Sequence, residues 1–457
     1  MLKPRVFSAL LTLLALAPTL RAQEEGGGEG GAEPEATSGD DEKDAKYLAI
    51  VGGDVYTGTG AVLRGATVLA RNGKITEIGF DLWVPEGAEK VDAAGLRVYP
   101  GLIALGATTR VTMGTFAAPA PGVDASPIDI LFDGLLPVPV PRDFHVENGE
   151  PHDDDKPPTQ ADGEEGGDEQ KSEIEDTFDP FNSYLVLSLA TGITTVQQSS
   201  AAVKLKRNEI DGVLLSDRSM ASVPWDLSNP TGIAGTRKKF ERTAEYLREV
   251  RAWKARNKKD EKEPSKKGAD TTALRVLSGE ALALFRASNR EELLGIARFA
   301  QEYGFRPVID GCEEGWTVAD ELGRAGAYAI LTPRNRQAKD ESLVRAGGAS
   351  IENAAKLHAA GVQVAVRAQS TSIDNVGTAG RDLLALPVEA GFAVRGGLSN
   401  EAALAAMTIV PARMLGIEHR TGTLEVGKDC DAIVTDGDVL HYQTFVQYTV
   451  VDGKLVY

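Results

Sequence analysis

Only two cysteines and five histidines occur among 457 residues. Two thiols exclude a disulfide framework, and Cys312 and Cys430 fall in different parts of the predicted architecture, so two buried free thiols are expected. No G-x-G-x-x-G turn follows a predicted strand, which removes the dinucleotide-binding signature of a doubly wound sheet. No apolar run reaches the roughly 20 residues that a spanning helix needs. The run from Val6 to Leu16 is preceded by Lys3 and Arg5, interrupted beyond its end by Pro18 and Arg21, and followed by the small residue Ala22. That pattern predicts a secretory signal peptide over residues 1–22, a periplasmic or extracellular protein, and no transmembrane segment after its removal.

The formal charge of −18 is unevenly spread. Residues 24–44 carry nine acids and one lysine, net −8, and residues 143–179 carry fifteen acids and two lysines, net −13. The rest of the chain is left at +3, which the three cations of the signal peptide account for, so nothing points to a nucleic-acid surface. Both acidic stretches are rich in Gly, Pro, Asp and Glu and poor in aromatics. They bury too little apolar surface to offset ordering entropy, and read as a solvated linker (23–46) and an acidic insertion (about 121–179) in preference to cation- or partner-binding segments.

What remains is 42% apolar overall, enough for a sizeable core. Near the N-terminus, short alternating β-prone runs flank Asn72-Gly73, and at the C-terminus Asp452-Gly453 separates the last two; both dipeptides predict tight hairpins. Between these ends the pattern becomes strand then helix. ALALF (281–285), RPVID (306–310), AYAILT (327–332) and VQVAVRA (362–368) read as strands. A helix from Asn289 carries Leu293, Ile296, Ala297, Ala300 and Tyr303 on one face, with Ser288 and Glu291 forming a capping box. Another is expected from about Trp316. Phe240, Ala244, Leu247 and Trp253 mark an amphipathic helix ahead of a charged, solvated loop at about 257–270. Alternation of this kind predicts a parallel sheet, as a barrel or, as its structural rival, a doubly wound sheet.

The segment GLRVYPGLIALGATT (95–109) resembles the point where amidohydrolase-superfamily proteins pass from a small β-sandwich into the first barrel strand. ATGITTVQQ (190–198), VIDGCEEGWTVADEL (308–322) and the stretch 399–438 extend the likeness. The last is the most specific, with Thr408–Gly416 in the place of a T-x-x-P-A-R-x-L-G turn and Gly422–Asp431 in that of G-x-L-E-x-G-K-D-A-D. The resemblance covers most of 47–457 and is nearest to the imidazolonepropionase-like branch. It implies an α/β fold: a (β/α)8 TIM-type barrel over 99–417 and a composite β-sandwich from 47–98 plus 418–457, with ligands at the C-terminal strand ends.

The same alignment implies that the metal chemistry has been lost. The family's D-x-H-x-H falls on Ala104, Gly106 and Thr108, its H-x-H on Arg286 and Ser288, its next histidine on Gly311, and the usual general base on Gln369. None offers an imidazole or carboxylate. Asp310, Glu313 and Glu314 near Gly311 are expected to face solvent or a helix start. Lys204 stands near the place where some members carry a bridging lysine. It is expected either as an ordinary cation or, with Arg286 and Gln369, as a contact for a ligand at the barrel mouth. The histidines, His145, His152, His358, His419 and His441, are too scattered to rebuild a site, and acidic neighbours disfavour a reactive Cys312.

The leading expectation is an exported pseudoenzyme without a metal cofactor. It would bind a small polar or anionic ligand or support a partner, such as a catalytically competent amidohydrolase relative. The alternatives are a hydrolase of non-peptide C–N bonds, with zinc, and a purely structural envelope protein.

Overall fold

In the computed structural model, the described residues are 45–107, 178–217, 220–256, 262–266, 268–335, 347–370, 373 and 381–457. Thr108, His145, His152, the signal peptide, nearly all of the linker and nearly all of the acidic insertion lie outside them. In chain order the strands and helices are β1 (Tyr47–Tyr56), β2 (Val62–Arg71), β3 (Lys74–Gly79), β4 (Glu89–Asp92), β5 (Arg97–Pro100), β6 (Leu102–Ala107), α1 (Ser183–Ala190), β7 (Ile193–Gln198), β8 (Ala201–Lys204), β9 (Leu214–Ser216) and β10 (Met220–Ser222). There follow α2 (Pro230–Arg256), α3 (Thr271–Leu277), β11 (Leu282–Ala287), α4 (Arg290–Tyr303), β12 (Pro307–Gly311), α5 (Ala319–Arg324), β13 (Tyr328–Leu331), α6 (Asn353–Ala359) and β14 (Gln363–Val366). The chain closes with α7 (Leu386–Arg395), α8 (Asn400–Ala405), α9 (Ile409–Leu415), β15 (Ala432–Thr435), β16 (Val446–Val451) and β17 (Lys454–Leu455).

Strands from the two ends of this series form one sheet, in the order β17-β16-β15-β5-β1-β2-β3, with β4 beside β1. Both predicted hairpins are present: Asn72 and Gly73 take φ 49° and 83°, and Asp452 and Gly453 take 47° and 65°. Positive φ at both central residues matches the twist of the flanking strands. The turns are tied through Cys430, whose N–H donates to the Gly73 carbonyl and whose carbonyl accepts from Gly453. Leu48, Ile50, Val68, Ala432 and Val450 fill the sheet's own core.

Outside the terminal sheet, seven of the described strands are parallel to a neighbour: β6 with β7, and β10 through β14 in sequence order. β8 and β9 return antiparallel beside β7. Among the described residues these strands form two hydrogen-bonded sheets, not one ring. Carbonyls of Ala406 and Met407, which follow α8, accept from Val366 and Ile103, so connector backbone stands between β14 and β6.

Side chains alternate along these strands. Ala283, Phe285, Ile309, Ala329, Leu331, Val364 and Val366 join the helices in the main core with Leu293, Ile296, Phe299, Leu322 and Leu357. Val308, Tyr328, Ile330 and Ala365 join Ile103, Leu105 and the α9 residues Ile409, Met414 and Leu415 on the opposite, inner face. Burying each large apolar side chain contributes about 1.5–3 kcal/mol, so this period of two fixes which side of each strand faces inward.

Two local expectations shift. The cap of α4 is Asn289, whose side chain accepts from the Glu292 N–H, while the Glu292 carboxylate returns to the Ser288 N–H at 3.3 Å. The box therefore sits one residue later than Ser288 and Glu291. On α2 the buried residues are Thr236, Phe240, Thr243 and Tyr246, because the Tyr246 ring, not Leu247, is the one sealed against the core. The charged loop ends on a helix that sequence patterning missed, α3, capped by Asp270. Among the described residues no helix is long and apolar enough to cross a membrane.

Candidate functional site

The alternation that places Leu284, Val308 and Ala365 on the inner face carries Arg286, Asp310 and Arg367 onto it near the C-terminal strand ends. Arg286 and Asp310 are register partners on neighbouring strands, and Arg286 is exposed. Arg367 grips Asp310 end-on, with Nη1 donating to Oδ2 at 2.8 Å and Nη2 lying 2.7 Å from Oδ1. The hydrogen bond to Oδ2 and the ion-pair contact with Oδ1 together hold the carboxylate. Farther out, Arg334 Nε donates to the fully buried Glu389 at 2.7 Å, and Arg381 donates to the Arg334 carbonyl. The rim is thus lined by arginines whose acids are already engaged.

The described residues expected at the degenerate positions, Ala104, Gly106, Arg286, Ser288, Gly311 and Gln369, carry neither an imidazole nor a carboxylate. Gly106 has φ +73°, and its N–H donates to Gln197 Oε1. Gly311 has φ +104°, and a Cβ there would lie 2.8 Å from Ser288 Oγ. A side chain at either position meets a backbone that L residues rarely adopt, at a cost of about 1–2 kcal/mol. Ala104 packs in the helix-side core, Arg286 is cationic, Ser288 offers only a hydroxyl, and Gln369 is exposed. Asp310 is held by Arg367. His358, His419 and His441 are all exposed and far apart in the element order.

The acids after β12 have separate fates. Glu314 is buried, and its carboxylate accepts from the N–H of Arg290, the first residue of α4, at 2.9 Å and from Gly348. This is the helix-start role expected of the group. Burial and the charge of Glu314 push the Glu313 carboxyl up. Cys312 is fully buried, and burial pushes its thiol up to about 12, so it remains a thiol at neutral pH. Cys430 is likewise buried and free.

Lys204 corrects the expectation of a barrel-mouth contact. It is 0% exposed, and its Nζ lies 2.6 Å from Asp429, 3.0 Å from Asp431 and also against Asp452. Lys74 and Arg420 flank Asp429 at 2.6 and 2.9 Å, and Lys206 reaches Asp452 at 2.8 Å. Burial opposes the Lys204 charge, but the three carboxylates outweigh it and hold the ammonium above its ordinary range. Burial also opposes ionisation of Asp429, yet Lys204, Lys74 and Arg420 hold its carboxyl at about 2. Among the described residues these aspartates are the one group of three or more potential ligands within reach of a common ion. The lysine ammonium occupies that space, and a charged amine cannot carry the carboxyl group of a bridging lysine. Lys204 therefore joins β8 to the terminal sheet. Sequence reading missed Arg367 and this node, although Asp429 and Asp431 lie inside the quoted Gly422–Asp431 motif.

Parallel strands covered by helices, a polar rim at their C-terminal ends and a sheet shared by both termini describe an α/β protein. The amidohydrolase family model matches residues 328–456 of this chain. N-acetylglucosamine-6-phosphate deacetylase of Danio rerio is 46% identical over 55 residues, 12% of this chain and 14% of that protein. The Homo sapiens enzyme is 46% identical over 61 residues, 13% and 14% of the two chains. The chain thus aligns with about a seventh of the length of these curated relatives. The solved amidohydrolase of Thermotoga maritima MSB8 shares the fold over 90% of this chain and 99% of its own, with a TM-score of 0.60 at 21% identity.

Proposed function

We propose that this protein binds a small polar or anionic ligand at the strand-end rim and performs no metal-dependent hydrolysis there. The observation that carries the reading is the backbone at Gly106 and Gly311, which has taken positive φ where the family aligns histidines, beside an Asp310 already held by Arg367. A scaffold with positive-φ glycines at these two positions is suited to binding or to supporting a partner, such as an active amidohydrolase relative. Arg286 and Arg367 give the rim donors for an oxyanion. The reading also takes the two inner sheets as a (β/α)8 barrel beside a composite sandwich. Their shared inner cluster and the Ala406–Met407 bridge support it. It takes the protein as exported, in the imidazolonepropionase-like branch.

A second reading, hydrolysis of a non-peptide C–N bond, is favoured by the family match and by the deacetylase-like stretch. Metal analysis of the purified mature protein, paired with deacetylase and amidase assays, separates the two. About one equivalent of transition metal, with hydrolysis lost on chelation, sinks the first reading. Metal-free protein that is stabilised by small anions, with the shift lost in Arg367→Gln, supports it.

A further inference from the structure

A separate cleft of about 260 Å³, open to solvent, lies between the terminal sheet and α8. Tyr56, at the end of β1, and Tyr99, in β5, stack with ring centroids 4.6 Å apart and planes at 22°. Leu404, Val439 and Leu440 add apolar lining, and Glu401 and Asp438 supply carboxylates. The two acids differ in their engagement. Asp438 is held by Arg97 at 3.2 Å and accepts from the Leu440 N–H at 3.0 Å. Glu401 is exposed and, among the described residues, has no cation or donor beside it.

The local backbone accommodates this free carboxylate. A Cβ at Gly60 would lie 2.7 Å from Glu401 Oε1, so the carboxylate rests against the 58–62 loop and would have to shift if residue 60 carried a side chain. The aromatic pair already attracts one cation, since Arg97 Cζ stands 5.7 Å from the Tyr56 ring centroid. Tyr99 is 2% exposed, and its burial pushes the hydroxyl up to about 12, which keeps the ring neutral.

We propose that this cleft binds an organic cation with an apolar body, its ammonium facing Glu401 and its body lying against Tyr56, Leu404 and Leu440. The chemistry follows from one uncompensated carboxylate at the edge of an aromatic and aliphatic surface. It does not depend on what the strand-end rim does.

Calorimetric titration of the purified protein with benzylammonium, benzyl alcohol and benzoate tests it. Benzylammonium is expected to bind about tenfold more tightly than benzyl alcohol, with benzoate excluded. Glu401→Gln removes that preference, and Gly60→Ala, which displaces the carboxylate, weakens it. Asp310→Asn, at the rim, leaves it unchanged. Equal affinity for the amine and the alcohol, binding unaltered by Glu401→Gln, or no benzylammonium binding at millimolar concentration overturns the proposal.

Discussion

Gly311 is built against Ser288. A Cβ at residue 311 would stand 2.8 Å from Ser288 Oγ and 3.1 Å from the Ala287 carbonyl, on a backbone at φ +104°. Each position constrains the other. Gly311→Ala should cost about 2 kcal/mol or more, combining left-handed backbone strain with overpacking. Pairing it with Ser288→Gly should recover the contact part alone. Denaturant unfolding of the single and double variants measures this, and a near-neutral single variant would contradict the geometry.

Asn289, not Ser288, starts helix α4. Asn289→Ala should cost about 1 kcal/mol through loss of the bond to the Glu292 N–H, whereas Glu291→Ala should be close to neutral. Midpoints of thermal unfolding for the two variants decide between the two cap positions.

Lys204 balances three carboxylates, so Lys204→Met strands buried negative charge and should destabilise by about 3–5 kcal/mol at neutral pH. The sign of the acid limb follows from Asp429, whose folded carboxyl is held at about 2, below its unfolded value. Its contribution, about 2 kcal/mol, is present above the unfolded pKa of about 3.9 and is lost as pH falls toward 2. The Lys204 contribution has the opposite sense: it is full below the unfolded lysine pKa and is lost as pH rises through the raised folded value. Stability measured against pH in wild type and Lys204→Met should show the acid-side slope flattened in the variant.

Cys312 and Cys430 should both resist alkylation in the native state near pH 8 and react once the protein is unfolded. Burial removes access to each thiol and suppresses the thiolate. Rapid modification of Cys312 by a thiol reagent under native conditions would restore it as a candidate nucleophile.

Much of the fold is legible locally. Asn72-Gly73 and Asp452-Gly453 specify their turns through backbone preference alone, and the inward stripe of Leu293, Ile296, Ala297 and Ala300 follows from a period of 3.6. That Gly106, Arg286, Ser288, Gly311 and Gln369 offer neither imidazole nor carboxylate is also visible in sequence, because residue type alone decides it. Less visible is what replaced them. Arg367 meets Asp310 57 residues away, and that pairing depends on two strand ends converging on one inner face.

The sequence by itself determined two free thiols, the turn chemistry and the alternation of strands with helices. These depend on residue identity and short spacing, which act within a few residues of chain. Tertiary structure alone decided the fate of Lys204. Its partners Asp429 and Asp452 stand 225 and 248 residues along the chain, and only the packing of β8 against the terminal sheet brings the charges together. Desolvation then makes the pairing obligatory: a buried ammonium and buried carboxylates are stable only in one another's company, wherever in the chain they arise.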